Sequence, residues 1–196
     1  MALILDGTLG ITTPGVVNTA GETIATTLAV TGVSTFAAGT ALLPALTTTG
    51  DTNTGLWFPA ADTVAASTGG TERMRIDASG NLLVISAAAL GYGTGSGGTV
   101  TQATSRATSV TINKPTGAIT LFAALGSATP AKFSVSNSVV AATDTIIVSV
   151  KSSTNIYRAY ITAVAAAGFD IAFESVSGVA SDSPVFNFAI IRGATS

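Results

Sequence analysis

Residues 51–83 read DTNTGLWFPAADTVAASTGGTERMRIDASGNLL, a run that holds the single tryptophan, Trp57, the densest cluster of charge and several turn signals. Gly55 to Pro59 has the pattern of a short strand ended by a proline, and Asp62 to Ala66 that of a second. Ser67-Thr68-Gly69-Gly70 supplies a turn, Glu72 to Asp77 an alternating strand, and Ser79-Gly80-Asn81 another turn before Leu82 to Ile85. Strand side chains alternate with period two, so Met74 and Ile76 share one face while Arg73, Arg75 and Asp77 share the other. One face requires an apolar partner; the other requires water or carboxylates. The charges of Glu72, Arg73, Arg75 and Asp77 are expected to fix register against neighbouring strands or subunits.

Upstream, residues 1–50 are rich in Thr, Ala, Val and Gly with isolated large apolar residues, which favours short strands, although Glu22 to Val30 and Phe36 to Leu43 can each accommodate a helical turn or two. Pro14-Gly15, Thr31-Gly32, Thr49-Gly50 and Thr68-Gly69 recur at nearly even spacing. They are either the corners of a repeat or the ordinary frequency of such pairs in a chain so rich in Thr and Gly. If a repeat, each unit has too few large apolar groups to enclose a core, and neighbouring chains must complete it.

Downstream, Gly91, Gly93, Gly95, Gly97 and Gly98 mark residues 91–98 as a linker. Gly93, Gly95 and Gly98 also spell G-x-G-x-x-G. A dinucleotide site needs a helix after that motif and an acid about 20 residues on; Thr99 to Thr104 reads instead as a strand, and no acid stands near position 118. From Thr99 the period-two signal is strong: Phe133 with Val135, Ile146 with Val148 and Val150, Phe169 with Ile171 and Phe173, Phe186 with Phe188 and Ile190. Val110 to Ile112, Ile119 to Phe122 and Tyr157 to Val164 add further strands, the signature of an antiparallel sandwich or jelly roll. Phe122 is expected in its core with the other phenylalanines of this half.

Charged residues make up 9% of the 196 and net charge is −2, against about a quarter charged in ordinary soluble domains. So polar but uncharged a surface favours a chain partly hidden by copies of itself. With no cysteine and no histidine, disulfides, the usual zinc sites, thiol nucleophiles and imidazole-based triads are excluded, and neither cofactor nor metal is expected. No apolar run reaches the roughly 18 residues of a membrane span. The first basic residue is Arg73, so no secretory signal is read and synthesis in a cytoplasm is expected. Residues 1–90 carry two basic and six acidic side chains and residues 91–196 six and four, too little positive charge to track nucleic acid.

Two stretches carry a resemblance. Trp57-Phe58-Pro59, Ala61-Asp62-Thr63, Gly69 to Asp77 and Ser79-Gly80-Asn81 resemble a segment that recurs in bacteriophage tail-fibre and other virion fibre proteins. The second half resembles a C-terminal module of phage fibre and head-decorating proteins. It does so through Gly91 to Gly95, Gly98 to Ser105, Asn113-Lys114-Pro115, Gly117, Ile119-Thr120, Ala141 to Asp144, Tyr157-Arg158 and Asn187-Phe188-Ala189. The resemblance implies a trimeric β-rich stem without chemistry and a C-terminal knob or docking unit.

Candidate sites are few. Asp170 and Glu174 lie on the outer face of one expected strand and form a glycosidase pair only if a sugar groove crosses them. Arg158 and Tyr160 share a face, with residue types enriched at binding hot spots, and serve either a receptor or a neighbouring subunit. The expectation is therefore an all-β, non-enzymatic virion protein made in a bacterial host. Residues 1–50 form a stem and virion attachment, 51–90 a neck, 91–98 a linker and 99–196 a sandwich knob. Homotrimers contact other virion proteins of tail, baseplate or capsid and a host-surface glycan or protein, without nucleic acid or membrane insertion. A capsid-decorating cement protein and a polysaccharide-cleaving fibre are the alternatives.

Overall fold

The computed structural model describes residues 31–194. They are all-β, with no helix among them, and contacts divide the chain into two units between Ala88 and Ala89.

The first unit is a five-stranded antiparallel meander of β1 (Leu46–Thr48), β2 (Asp51–Trp57), β3 (Val64–Thr68), β4 (Thr71–Ile76) and β5 (Leu82–Val84), paired in that order. Its turns follow from local chemistry. Gly69 and Gly70 take φ of +58° and +72° between β3 and β4, a region that glycine enters without a Cβ penalty. Between β4 and β5 the Asp77 carboxylate accepts the amides of Ser79 and Asn81, both at 2.9 Å, which closes the turn around Gly80. Phe36 to Leu43 forms no helical turn; Gly39 bridges Pro44, and the Leu43 amide donates to the Thr40 hydroxyl. Glu22 to Val30 lies outside the described residues.

Cross-strand register sorts the meander into two unlike faces. Leu46, Leu56, Ala66, Met74 and Val84 form one continuous row across all five strands, and Val64, Ile76 and Leu82 a second row beside it. The opposite face carries Trp57, Ala65, Ser67, Glu72 and Arg75, with Ala65 and Ser67 almost fully buried and the Trp57 indole N–H donating to the Ser67 hydroxyl at 2.8 Å. Strict alternation would put Glu72 beside Met74. Instead Ser67 pairs with Glu72 and Ala66 with Met74, so Arg73 is an extra residue in a β-bulge. The bulge turns Glu72 onto the face of Arg75.

The second unit contains β6 (Gly97–Thr101), β7 (Val110–Thr111), β8 (Thr116–Thr120), β9 (Ala124–Leu125), β10 (Ala131–Ser136), β11 (Thr145–Ser152), β12 (Ile156–Ala165), β13 (Gly168–Ser177), β14 (Ser181–Asp182) and β15 (Val185–Ile191). Two four-stranded sheets, ordered β12-β13-β10-β7 and β11-β15-β8-β6, share one core, and β9 pairs with β14 in a small separate ribbon. The alternation read from the sequence sets that core. Phe186, Phe188 and Ile190 of one sheet meet Phe169 and Phe173 of the other, with Phe169–Phe188 centroids 5.2 Å apart and Phe173–Phe186 5.5 Å. Such edge-to-face and tilted contacts add to area burial.

Three sequence expectations change here. The sheets are mixed, because β6 pairs parallel with β8 and β7 parallel with β10. Phe122 falls just after β8 and is 37% exposed, because the strand spans Thr116–Thr120 and ends before it. Gly97 and Gly98 already belong to β6 rather than to a linker.

Candidate functional site

The two sheets of the second unit present outer faces of opposite character. On β12-β13-β10 the outward residues form cross-strand rows. Arg158 stands opposite Glu174, Tyr160 and Lys132 flank Ala172, and Ala163 and Ser134 flank Asp170. The charges are paired on the face itself: Arg158 donates to Glu174 at 3.1 Å and Lys132 to Asp170 at 2.9 Å. Ser134 donates to the other Asp170 oxygen at 2.6 Å. The Ser134 and Lys132 hydrogen bonds hold the Asp170 carboxyl below the usual carboxylate range. Beside it the small side chains of Ala163, Ala165, Ala167 and Gly168 leave a shallow depression of about 240 Å³ rimmed by Ser134, Ser136 and Asp170.

The outer face of β11-β15-β8-β6 is almost without charge. Its rows are Ser149, Asn187, Ala118 and Thr99, then Ile147, Ala189, Thr116 and Gly97, with Lys151 alone at the end of β11. Tyr92 donates its hydroxyl to the Ile190 carbonyl of this sheet. With Leu90, Ile147, Ala189 and Ile191 it walls an apolar cleft of about 410 Å³.

Arg158 and Tyr160 therefore do share an exposed face, as their spacing predicts, and Tyr160 is 38% exposed. Asp170 and Glu174 lie four residues apart along β13, about 13 Å at the usual strand rise. Glycosidase pairs stand roughly 5–9.5 Å apart. Each carboxylate is instead the partner of one cation.

In the first unit the four charges do not act as one cluster. Arg75 clamps Glu72 with two hydrogen bonds of 2.5 and 2.7 Å within its own strand. That contact, against burial, lowers the Glu72 pKa and raises that of Arg75. Arg73 donates to Thr68 at 2.9 Å, and Asp77 is used by its turn, where the Asn81 and Ser79 donors hold its pKa down. Register is thus fixed partly by the bulge, a feature that period-two reading misses.

Sequence reasoning also missed the most elaborate polar group of the protein. Arg106 is nearly buried and donates to Asp182 Oδ1 at 2.8 Å, to the Tyr157 hydroxyl at 2.7 Å and to the carbonyls of Ala124 and Asp182, both at 2.7 Å. Asp182 also accepts the Tyr157 hydroxyl and the amides of Thr154 and Asn155. Burial pushes the Asp182 carboxyl up, but the Asn155 amide, Tyr157, Arg106 and the Thr154 amide outweigh it and the net shift is downward. No local motif announces this group, since its members meet only through the fold. Every buried side-chain nitrogen and oxygen in it has a hydrogen-bond partner, so the group clamps together segments distant in the chain.

Among the described residues no three His, Cys, Asp or Glu side chains gather as a metal site, and no helix is long and apolar enough to cross a membrane. Comparison with protein-family models, curated proteins and solved structures finds no match to this chain.

Proposed function

We propose that this chain is a structural protein of a bacteriophage particle, a homotrimeric tail fibre or fibre-like appendage. It joins the particle through other virion proteins and presents a sandwich knob of jelly-roll type to a host-surface glycan or protein. The observation that carries the reading is the apolar face of the first unit. Leu46, Leu56, Val64, Met74, Ile76, Leu82 and Val84 are each 38–58% exposed along two adjoining rows, and no charged residue interrupts them. Monomeric proteins rarely expose contiguous patches of this kind. Covering what remains exposed contributes about 1 kcal/mol per side chain, enough to favour closure of several copies on one another. The phage-fibre resemblance of residues 57–81, which contain Val64, Met74 and Ile76 of this face, supplies the biological setting, and the charged outer face of β12-β13-β10 supplies the groups for host contact.

Light scattering on the intact chain tests the reading. The expected mass is three times 19.2 kDa, about 58 kDa, and a stable folded monomer overturns it.

A further inference from the structure

We infer that the uncharged outer face of β11-β15-β8-β6 is a second self-association surface, which packs against another copy of this chain and leaves the charged face of β12-β13-β10 free. The inference rests on the oligomer proposed above and assigns each face of the second unit a place in it. Charge is segregated between the two faces. The strands of one bear Arg158, Glu174, Lys132 and Asp170 outward, whereas those of the other bear Thr, Ser, Ala, Asn and Ile with Lys151 only at the margin. Interface centres are depleted of charge, and their rims keep it. Solvent gives no reason for such a division within one small sandwich.

The occupant follows from the chemistry of the same surface. Ile147 and Ile191 are 51% and 54% exposed, Leu90 is 86% exposed, and with Tyr92 they frame a cleft whose walls offer an incoming group very little polarity. A charged or heavily hydroxylated ligand would lose its water there without finding partners. A second copy brings small Thr and Ala side chains, which allow close approach of sheet to sheet, and exposed Ile and Leu side chains that fit an apolar cleft. The charged face is a poor alternative for that contact, because its ion pairs are already formed and burying them would cost desolvation without new partners.

The chain contains no cysteine, so single cysteines report cleanly on the full-length assembly. Ser149→Cys probes the uncharged face and Arg158→Cys the charged face, both residues being exposed in the single chain. Thiol alkylation at 149 is expected to be about tenfold slower than at 158 while the assembly is intact, and to match it after dissociation, as burial at an interface requires. Ile147→Glu, with folding confirmed by circular dichroism, should abolish that protection. Equal alkylation rates in a trimer of unchanged mass overturn this inference and leave the proposed oligomer standing. A monomeric wild-type mass overturns the oligomer itself. Binding of an apolar dye to the intact assembly that Ile147→Glu removes shows an open cleft, and also overturns the inference.

Discussion

Arg106 and Asp182 stand 76 positions apart and meet at 2.8 Å with side chains only 10% and 4% exposed. The contact ties the loop after β6 to β14, and Tyr157 of β12 joins it from the other sheet. Removing Arg106 leaves the Asp182 carboxylate buried without its opposing charge. Arg106→Met is therefore expected to cost about 3–5 kcal/mol in urea unfolding. Arg106→Met with Asp182→Leu should recover part of that loss; a cost below that of an exposed pair would show that water reaches the site.

Acid should destabilise the fold in a defined direction. Asp182, Asp170, Asp144, Glu72 and Asp77 all have carboxyls held below their ordinary range by hydrogen bonds and cations. The unfolded chain takes up protons first as pH falls, so the stability these groups contribute is complete above the unfolded value of about 4 and is lost below it. With no histidine, no side chain has an ordinary pKa between about pH 5 and 8, and Tm should be level there. Asp182→Asn lowers Tm at neutral pH and flattens the acid limb. A wild-type Tm that holds steady down to pH 2 contradicts this.

Two glycines with the same backbone twist should respond differently to alanine. Gly95 and Gly178 have φ of +86° and +92°, but a Cβ on Gly95 meets nothing within 4 Å, whereas one on Gly178 comes 2.4 Å from Asn155 Oδ1. Gly95→Ala is expected to cost about 1–2 kcal/mol from strain alone. Gly178→Ala should cost about 1–3 kcal/mol more, because Asn155 must move and break its paired hydrogen bonds with Ala180. Equal losses in chemical denaturation would mean that Asn155 gives way freely.

Met74→Asp places a charge within the five-residue row on the first unit, between Ala66 and Val84. It should shift the scattering mass from trimer toward monomer, because a desolvated unpaired charge opposes closure, while Glu72→Gln on the opposite face leaves the mass unchanged. Retention of the trimer by Met74→Asp would remove this face from the assembly.

Arg158→Ala with Tyr160→Ala should leave mass and Tm near wild type, since the Arg158 bridge is exposed and such pairs contribute about 0–1 kcal/mol. Adsorption to host cells should fall. Loss of the trimer instead would place these residues between subunits.

The sequence made most of the strands legible because period-two burial is a local property: Phe169, Ile171 and Phe173 point inward however the sheets are ordered. It also put Met74 and Ile76 on one apolar face. It could not reveal the bulge at Arg73, where one extra residue turns Glu72 toward Arg75, nor the parallel pairing of β6 with β8, which local alternation leaves open. The β9–β14 ribbon and the Arg106 clamp were hidden for the same reason, since their partners are distant in the chain. Arg158 and Tyr160 were legible as a shared face, and the segregation of charge between the two sheets emerged only once strand order was known.

The central position of β15 has a consequence for the order of events during synthesis. Val185–Ile191 is the only strand that joins β11 to β8, and its Phe186, Phe188 and Ile190 fill the middle of the core. Until that segment leaves the ribosome, one sheet of the sandwich exists as two unconnected halves. Folding must wait for contacts some 70 residues apart, as between Gly117 and Phe188, and such long-range closure is intrinsically slow. The second unit is therefore expected to close its core only after the chain has been made past Ile191.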